Sequence, residues 1–289
     1  MSLSYDNCVM IANYIYQPKY ELLEWIIINY KNDNYKFISA NPNAISYLQD
    51  NPGKIDWDIL SLNPNAISIL NKNQDKINWY WLSTNVNIIS FLEKNNFKGI
   101  EKINWQLLSQ NTGAISLLKQ NLDKINWQLL SENSAAIELL NENLDKINWQ
   151  RLSANPAAIE LLKANPDKID WEWLSLNYNA IELLQENQDK IDWHFLSSNP
   201  SAIKLLQDNP DKINWTYLST NTAAIKLLQQ NPHKINWKLL SDNSAAIEIL
   251  RENPDKIDWN KLLTNKSIFQ LVDKTKLINK VVSIILEKN

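Results

Sequence analysis

Residue types that perform most enzyme chemistry are scarce in this chain of 289 residues. It has a single cysteine, Cys8, and two histidines, His194 and His233, whereas a zinc site or a disulfide framework needs several such residues. Three glycines are too few for a glycine-rich phosphate loop. A serine recurs along the chain, but no base stands beside it to activate a nucleophile. The sequence therefore predicts no enzyme activity, no metal site and no cofactor.

Lysine is the charged residue that recurs at a fixed position. The recurring lysines are Lys54, Lys76, Lys102, Lys124, Lys146, Lys168, Lys190, Lys212, Lys234 and Lys256. A row of cations can follow a phosphate backbone. An acidic residue precedes eight of these ten lysines, however, and the net charge of the chain is −3. Domains that bind nucleic acid are usually basic, so nucleic-acid binding along this lysine edge is the least favoured of three functional hypotheses.

These lysines belong to an internal repeat that is marked by tryptophan. The tryptophans in register are Trp57, Trp79, Trp105, Trp127, Trp149, Trp171, Trp193, Trp215, Trp237 and Trp259. They recur every 22 residues, except for 26 between Trp79 and Trp105, where residues 96–99 predict a longer loop. Tyr35 holds the same phase in a degenerate first unit. The consensus is W-x-x-L-S-x-N-P-x-A-I-x-L-L-x-x-N-P-D-K-I-N, and a fixed period of this kind is typical of a solenoid.

Each unit is predicted to form two short helices. An Asn or Asp before the tryptophan is a good N-cap for the first helix. Six residues after the tryptophan, an unbroken column of Asn caps the second helix, with a proline such as Pro156 at its first position. The apolar stripe at 158–162 would face the core. A third Asn column, which includes Asn165, is expected to end this helix in the left-handed conformation. These three capping roles account for the Asn columns.

Helices this short are unstable alone, and a fixed period supplies an identical neighbour to cover each apolar stripe. The sequence therefore predicts an all-α fold, an α-solenoid of about eleven 22-residue two-helix repeats with helical caps. Residues 1–34 would form the N-terminal helical cap, with helical patterns at Cys8–Tyr16 and Glu21–Tyr30. Residues 35–272 would form the repeat solenoid, and 273–289 the C-terminal capping helix, with one amphipathic helix at Thr275–Lys288. Helices packed 8–10 Å apart would give an open path of about 90–110 Å with right-handed superhelical winding.

The unit KINWQLLSENSAAIELLNENLDKINW resembles the W-x-x-L-S-x-N-x-x-A-I-x-L-L repeats of uncharacterised proteins from giant (nucleocytoplasmic large DNA) viruses. The resemblance covers about residues 35–272 and is carried by the Trp, Leu-Ser, Asn, Ala-Ile and Leu-Leu positions. An excess of lysine over arginine, with few glycines, indicates A/T-rich coding and is compatible with such a source. The resemblance implies a repeat protein with no activity and no functional residue to carry over.

The positions that the repeat leaves free are the candidates for recognition. Two residues after the tryptophan stand Ile59, Trp81, Leu107, Leu129, Arg151, Trp173, Phe195, Tyr217, Leu239 and Lys261, and the preceding position varies as widely. Tryptophan, tyrosine and arginine dominate interaction hot spots. The candidate partner-binding residues are therefore Trp81, Arg151, Trp173, Phe195 and Tyr217. The alternative is that this column packs between neighbouring units and varies with local fit.

The first functional hypothesis is a non-enzymatic, viral protein–protein interaction scaffold that binds a host or viral protein through these variable columns. The second is a structural component of a large virus particle, and nucleic-acid tracking is the third. The apolar run LLEWIIINY is too short to cross a bilayer, and the N-terminus lacks the features of a signal peptide. No membrane association is predicted, and the expected location is the host cytoplasm or the virion.

Overall fold

The structure is a computed structural model that describes residues 5, 8, 9, 19–30, 35–275, 278, 279, 282 and 283. Within these residues the chain forms a periodic series of short helices and one two-stranded sheet. The predicted all-α repeat solenoid is confirmed, with eleven units that begin at Tyr35 and at each tryptophan of the repeat.

The first helix of each unit begins at the tryptophan. These helices are Trp57–Leu60, Trp79–Leu82, Trp105–Gln110, Trp127–Leu130, Trp149–Ser153, Trp171–Leu174, Trp193–Ser198, Trp215–Leu218, Trp237–Leu240 and Trp259–Leu262, and the 3-10 helix Lys36–Ala40 replaces them in unit one. The side chain before each tryptophan accepts a backbone N–H of the first turn, as Asp170 does from Trp173 at 3.0 Å. The predicted N-caps are confirmed. The leucine three residues after the tryptophan is fully buried in all ten units.

The second helices carry the Ile-x-x-Leu stripe. They are Ile45–Asp50, Ile67–Lys72, Ile88–Lys94, Ile115–Lys119, Ile137–Asn141, Ile159–Lys163, Ile181–Glu186, Ile203–Asp208, Ile225–Gln230 and Ile247–Glu252. Short 3-10 turns lead into several of them: Pro42–Ala44, Pro64–Ala66, Thr112–Ala114, Pro200–Ala202 and the corresponding Lys266–Ile268 of unit eleven. The alanine before each helix, such as Ala158, is almost completely buried. This burial fits the close helix crossing that an alanine column permits.

A 3-10 turn with the lysine at its end closes each unit. These turns are Pro52–Lys54, Gln74–Lys76, Ile100–Lys102, Leu122–Lys124, Leu144–Lys146, Pro166–Lys168, Gln188–Lys190, Pro210–Lys212, Pro232–Lys234 and Pro254–Lys256. The Asn before the turn was expected to be left-handed, and this expectation is wrong. Asn187 has φ −132°, and its side-chain amide donates to the Leu183 carbonyl at 2.9 Å. The amide caps the last carbonyls of the helix directly, so no left-handed residue is needed.

The extra residues of unit three form the predicted longer loop. Asn96 and Phe97 are the described non-glycine residues with positive φ, and Gly99 follows them at φ 89°. A Cβ on Gly99 would lie 2.0 Å from the Trp79 ring. Glycine is therefore required here both by its backbone conformation and by the ring beside it.

The two ends of the repeat array meet and close the solenoid into a ring. Strand β1 (Tyr20–Leu22) pairs antiparallel with strand β2 (Phe269–Leu271). The Leu23 N–H donates to the Ile268 carbonyl at 2.9 Å, and the Val272 N–H donates to the Lys19 carbonyl at 2.8 Å. The expected open path with superhelical winding is therefore wrong. The distance of about 90–110 Å that eleven helix spacings cover is the circumference of a closed ring.

Unit eleven is assembled from both ends of the chain. After Ile268 the C-terminal segment enters strand β2 instead of a second helix. Helix α1 (Glu24–Asn29) from the N-terminus lies against the first helix of unit eleven. The ring centres of Trp25 and Tyr30 lie 6.3 and 5.5 Å from that of Trp259. In unit three, the unit's own second helix supplies this contact through Phe91, 5.9 Å from Trp79.

The segments expected to cap the ends therefore have another arrangement. Of the predicted helix at Glu21–Tyr30, only Glu24–Asn29 is helical, as α1, because Glu21 and Leu22 belong to β1. This helix completes a unit of the ring and does not shield a free end. Most of the other two predicted terminal helices, Cys8–Tyr16 and Thr275–Lys288, lies outside the described residues. Of their described members, Cys8 and Val282 are buried together in a small separate cluster.

The first helices form the inner layer of the ring. In a closed ring, the spacing between equivalent positions grows with their distance from the axis. The first helices and the Asn residues that follow them approach the next unit more closely than the second helices do. Between the second helices of units one and two lies a cleft of about 330 Å³, lined by Leu48 and Ile69 among others. The second helices are therefore splayed on the outer side.

Ring closure can be tested by a disulfide across the two strands. Glu21 and Gln270 are directly paired, and their side chains are 3.0 Å apart. In a Cys8→Ser background, we expect Glu21→Cys and Gln270→Cys to form a disulfide on oxidation, because paired strand residues have the required Cβ separation. Altered mobility on a non-reducing gel measures it. The control pair Glu21→Cys and Gln185→Cys should stay reduced, and an open solenoid would leave both pairs reduced.

Candidate interaction surface

The inner side of the ring is built on a ladder of buried asparagines. They stand six residues after the tryptophan or Tyr35: Asn41, Asn63, Asn85, Asn111, Asn133, Asn155, Asn177, Asn199, Asn221, Asn243 and Asn265, none more than 4% exposed. Asn177 Nδ2 donates to the carbonyls of Ser153 and Asn155 in the preceding unit at 3.0 and 2.9 Å. Its Oδ1 accepts the N–H of Asn179 at 3.0 Å. One side chain thus caps its own helix and binds the neighbouring unit.

The same ladder crosses the closure. Asn41 Nδ2 in unit one donates to the Asn265 carbonyl at 2.8 Å and approaches the Leu263 carbonyl at 3.5 Å. Unit one therefore follows unit eleven as any unit follows the one before it. Leu263 stands where other units have serine, so the serine contact described next is missing at this junction.

A column of buried serines forms a second ladder between units. Ser175 Oγ donates to the Trp171 carbonyl at 2.9 Å and accepts the N–H of Asp192, the N-cap of the next unit's first helix, at 3.0 Å. The serine side chains from unit one to unit ten are fully buried. These hydroxyls link one first helix to the start of the next.

Sequence reasoning found the capping role of the central Asn column and missed its contacts with the neighbouring unit. The capping is confirmed, but it does not account for the side chain completely, because the amide nitrogen makes separate bonds to the preceding unit. One signal was present in the sequence. The N-cap before the tryptophan is Asp in some units and Asn in others, whereas this column is always Asn. An ionised Asp carboxylate can only accept, whereas an Asn amide can accept from its own helix and donate to a neighbour.

The lysine edge is occupied by contacts with aromatic rings. Nine of the ten lysine ammonium groups lie 3.9–5.5 Å from the centre of the ring that begins their own unit, Tyr35 or tryptophan. Lys190, for example, lies 4.4 Å from the Trp171 ring. The exception is Lys168, which pairs with Asp167 at 3.4 Å. In these nine units the aromatic ring is held between the core and a cation.

The five candidate binding residues are partly exposed. Trp81 and Tyr217 are 38% and 39% exposed, and Arg151, Trp173 and Phe195 are half-buried. Phe195 and Tyr217 lie edge to face with ring centres 6.0 Å apart. Trp173 holds the same position one unit earlier, whereas Trp81 lies four units before Trp173 and contacts Tyr80 at 5.0 Å. The structure brings Phe195 and Tyr217 into contact, and Arg151 and Trp173 hold the same position in the two preceding units.

The position five residues after the tryptophan belongs to the same surface. Arg151 forms an ion pair with Glu132, which holds this position in the preceding unit, and Glu132 also accepts from Gln110 one unit earlier. The Thr264 hydroxyl donates to Asp242 at 3.2 Å in the same way. Sequence reasoning missed this column, although positions two and five are three residues apart on one helix face. We call positions one, two and five after the tryptophan or Tyr35 the variable strip.

The variable strip follows the inner side of the ring. Its positions lie on the exposed face of the first helices, and these helices form the inner layer. The apolar side chains below it pack in the core, and the buried polar atoms form the hydrogen bonds of the two ladders. No buried side-chain nitrogen or oxygen among the described residues lacks a partner. The strip is therefore the part of the first helices that is free to contact another molecule.

Sites of other kinds do not emerge from the described part of the chain. It contains no group of three or more His, Cys, Asp or Glu side chains placed to hold a metal ion. None of its helices combines the length and apolar character needed to cross a bilayer. Burial raises the pKa of the Tyr47 phenol, and the nearby Tyr35 adds to the shift. Tyr47 lies in a second helix, away from the variable strip.

Comparison of the chain with models of protein families, with curated proteins and with solved structures finds no match.

The ladder predicts unequal stability losses for two asparagines of one unit. We expect Asn177→Ala to lower the free energy of unfolding by about 3–5 kcal/mol, because two carbonyls and one N–H lose their partner in a buried site. Asn187→Ala removes one partly exposed bond and should cost about 1 kcal/mol. Denaturant melts measure both losses. Equal losses would contradict the structural role of the ladder.

Two tryptophans of one helix test whether the variable strip is core. Trp171 packs against the core and under Lys190, so we expect Trp171→Ala to cost about 3 kcal/mol of unfolding free energy. Trp173→Ala, at position two of the same helix, should cost about 1 kcal/mol. If Trp173→Ala destabilises the ring as much as Trp171→Ala, the column is packing between units and not a recognition surface.

Proposed function

We propose that the chain is a non-enzymatic protein-binding scaffold whose partner lies on the variable strip. One observation carries this proposal: half-exposed aromatic residues occupy variable positions on a frame whose other columns are uniform and structurally explained. Large aromatic side chains and arginine give most binding energy at protein interfaces. The ring holds these side chains on first helices that are hydrogen-bonded from unit to unit. Binding therefore costs little conformational entropy of the backbone.

The lysine edge supports nucleic-acid binding less well. Nine of its ten ammonium groups already lie over aromatic rings, and acidic residues precede most of them. A phosphate backbone would have to compete with both. The aromatic rings of the lysine edge are covered by these ammonium groups, whereas Trp81 and Tyr217 of the variable strip are 38% and 39% exposed. Following the resemblance of the units to repeats of giant viruses, the partner that we propose is a host or viral protein.

The experiment compares two multiple variants in partner binding. A protein captured from lysate by the immobilised ring is purified, and its dissociation constant is measured by calorimetry. We expect Trp173→Ser, Phe195→Ser and Tyr217→Ser together to weaken binding at least tenfold, because the aromatic surface is lost. Helicity and melting should change little, since these residues lie outside the buried core.

The matched control removes exposed apolar residues on another part of the ring. Leu122 and Leu144, in the closing turns, are 48% and 45% exposed. Their replacement by serine should leave the dissociation constant within twofold of the original. Undiminished binding in the folded aromatic triple variant would place the partner elsewhere and overturn the proposal.

A further inference from the structure

Ring closure gathers four lysines that the sequence places at opposite ends. Lys238 lies on the variable strip in unit ten, Lys261 in unit eleven and Lys36 in unit one, and Lys266 borders the strip in unit eleven. Units eleven and one are in direct contact, since Asn43 Nδ2 donates to the Lys266 carbonyl at 3.1 Å. An open solenoid would separate Lys36 and Lys261 by its full length. The closed ring makes them neighbours.

These lysines are not neutralised within the described part of the chain. None of the four forms an ion pair there, whereas Lys119 and Lys163 do. Lys36 lies 5.0 Å from the Phe37 ring, a contact that leaves its charge in place. Lys36, Lys238 and Lys266 are exposed, and Lys261 is half-buried. Asp242 is the carboxylate of the strip in these three units, and it accepts a hydrogen bond from Thr264. Units ten, eleven and one therefore present a net positive segment of the variable strip.

The aromatic residues of the strip lie immediately before this segment. Trp173, Phe195 and Tyr217 occupy units seven, eight and nine, and Leu239 in unit ten joins them to the lysines. The inner side of the ring thus has an apolar half-arc followed by a cationic one. The Phe195 and Tyr217 ring centres are 6.0 Å apart, and an extended segment of ten residues, at about 3.3–3.6 Å per residue, is long enough to reach from the aromatic units into the cationic ones.

We propose that the variable strip binds an extended acidic segment of a partner protein. The apolar side chains of this segment would lie on units seven to nine, and the Asp and Glu side chains of the segment on units ten, eleven and one. The inference rests on the proposed function and adds the chemistry of the partner. Charge complementarity of this kind favours encounter and fixes the direction of binding.

A single-stranded nucleic acid fits this strip less well. It carries a phosphate at every nucleotide and so would place negative charge along the aromatic half-arc as well. Glu172 is exposed there beside Trp173. The ring therefore offers cations to only one half of such a ligand. A peptide can confine its negative charge to that half.

The test uses a labelled synthetic peptide of ten residues, with three alternating Phe and Leu side chains followed by four Glu. Fluorescence anisotropy measures its dissociation constant at two salt concentrations. We expect Lys36→Gln, Lys238→Gln, Lys261→Gln and Lys266→Gln together to weaken binding at least tenfold at low salt. The loss should shrink at high salt because exposed charges are screened.

The control makes the same change in net charge on the lysine edge. Lys76→Gln, Lys124→Gln, Lys190→Gln and Lys234→Gln together should leave peptide binding within twofold of the original. A peptide with Lys in place of Glu should bind at least tenfold more weakly. A ten-nucleotide single strand should not compete with the acidic peptide. Circular dichroism confirms that each variant is folded.

The outcomes separate this inference from the proposed function. If the aromatic triple variant loses the peptide but the strip-lysine variant does not, the scaffold proposal stands and the acidic specificity is wrong. Equal binding of the Lys-substituted peptide, or tighter binding of the single strand, would also overturn the acidic specificity. If neither variant affects the peptide, both proposals fail.

Discussion

The ring depends on a buried amide that is shared between neighbouring units. A side-chain amide in a dry site is unfavourable unless its donors and acceptor are all satisfied. Here the Asn177 amide nitrogen meets two carbonyls of the preceding unit, while its oxygen meets an N–H of its own unit. The position of each unit is therefore set by the carbonyls of the one before it. Helices of four to seven residues, which are unstable alone, become parts of one continuous structure.

The ladder also explains why tryptophan recurs although it is not fully buried. The amide and serine ladders fix the inner side, and the second helices splay outward from it. A large, flat side chain fills the wedge between first and second helix, and the lysine of the same unit covers its outer face. Dispersion and cation–π contacts thus act where the shared hydrogen bonds do not reach.

Much of this architecture could be predicted from the period of the sequence, and the ring could not. Repeated Trp, Asn-Pro and Ala-Ile columns indicate two helices per unit, with their caps, because these are local properties of the chain. Closure depends on curvature, the small rotation from one unit to the next, which no single column encodes. Unit eleven departs from the repeat next to the closure. Leu263 replaces a serine, and a strand replaces the second helix after Ile268. Of the variable strip, position two was identified from the sequence and position five was missed. The two positions share an exposed surface, and side-chain exposure is a property of the folded ring.

The two-ended assembly of unit eleven has a consequence for biosynthesis. Trp25 leaves the ribosome before the repeat units of the ring, and its neighbour Trp259 is made 234 residues later. At 5–20 residues per second, the N-terminal helix waits roughly 10–50 s for the surface that it covers. Units two to ten can fold in order of synthesis, each on its predecessor. The final seam forms only after unit eleven and strand β2 have been translated, so a chain that terminates before them keeps two unsealed ends.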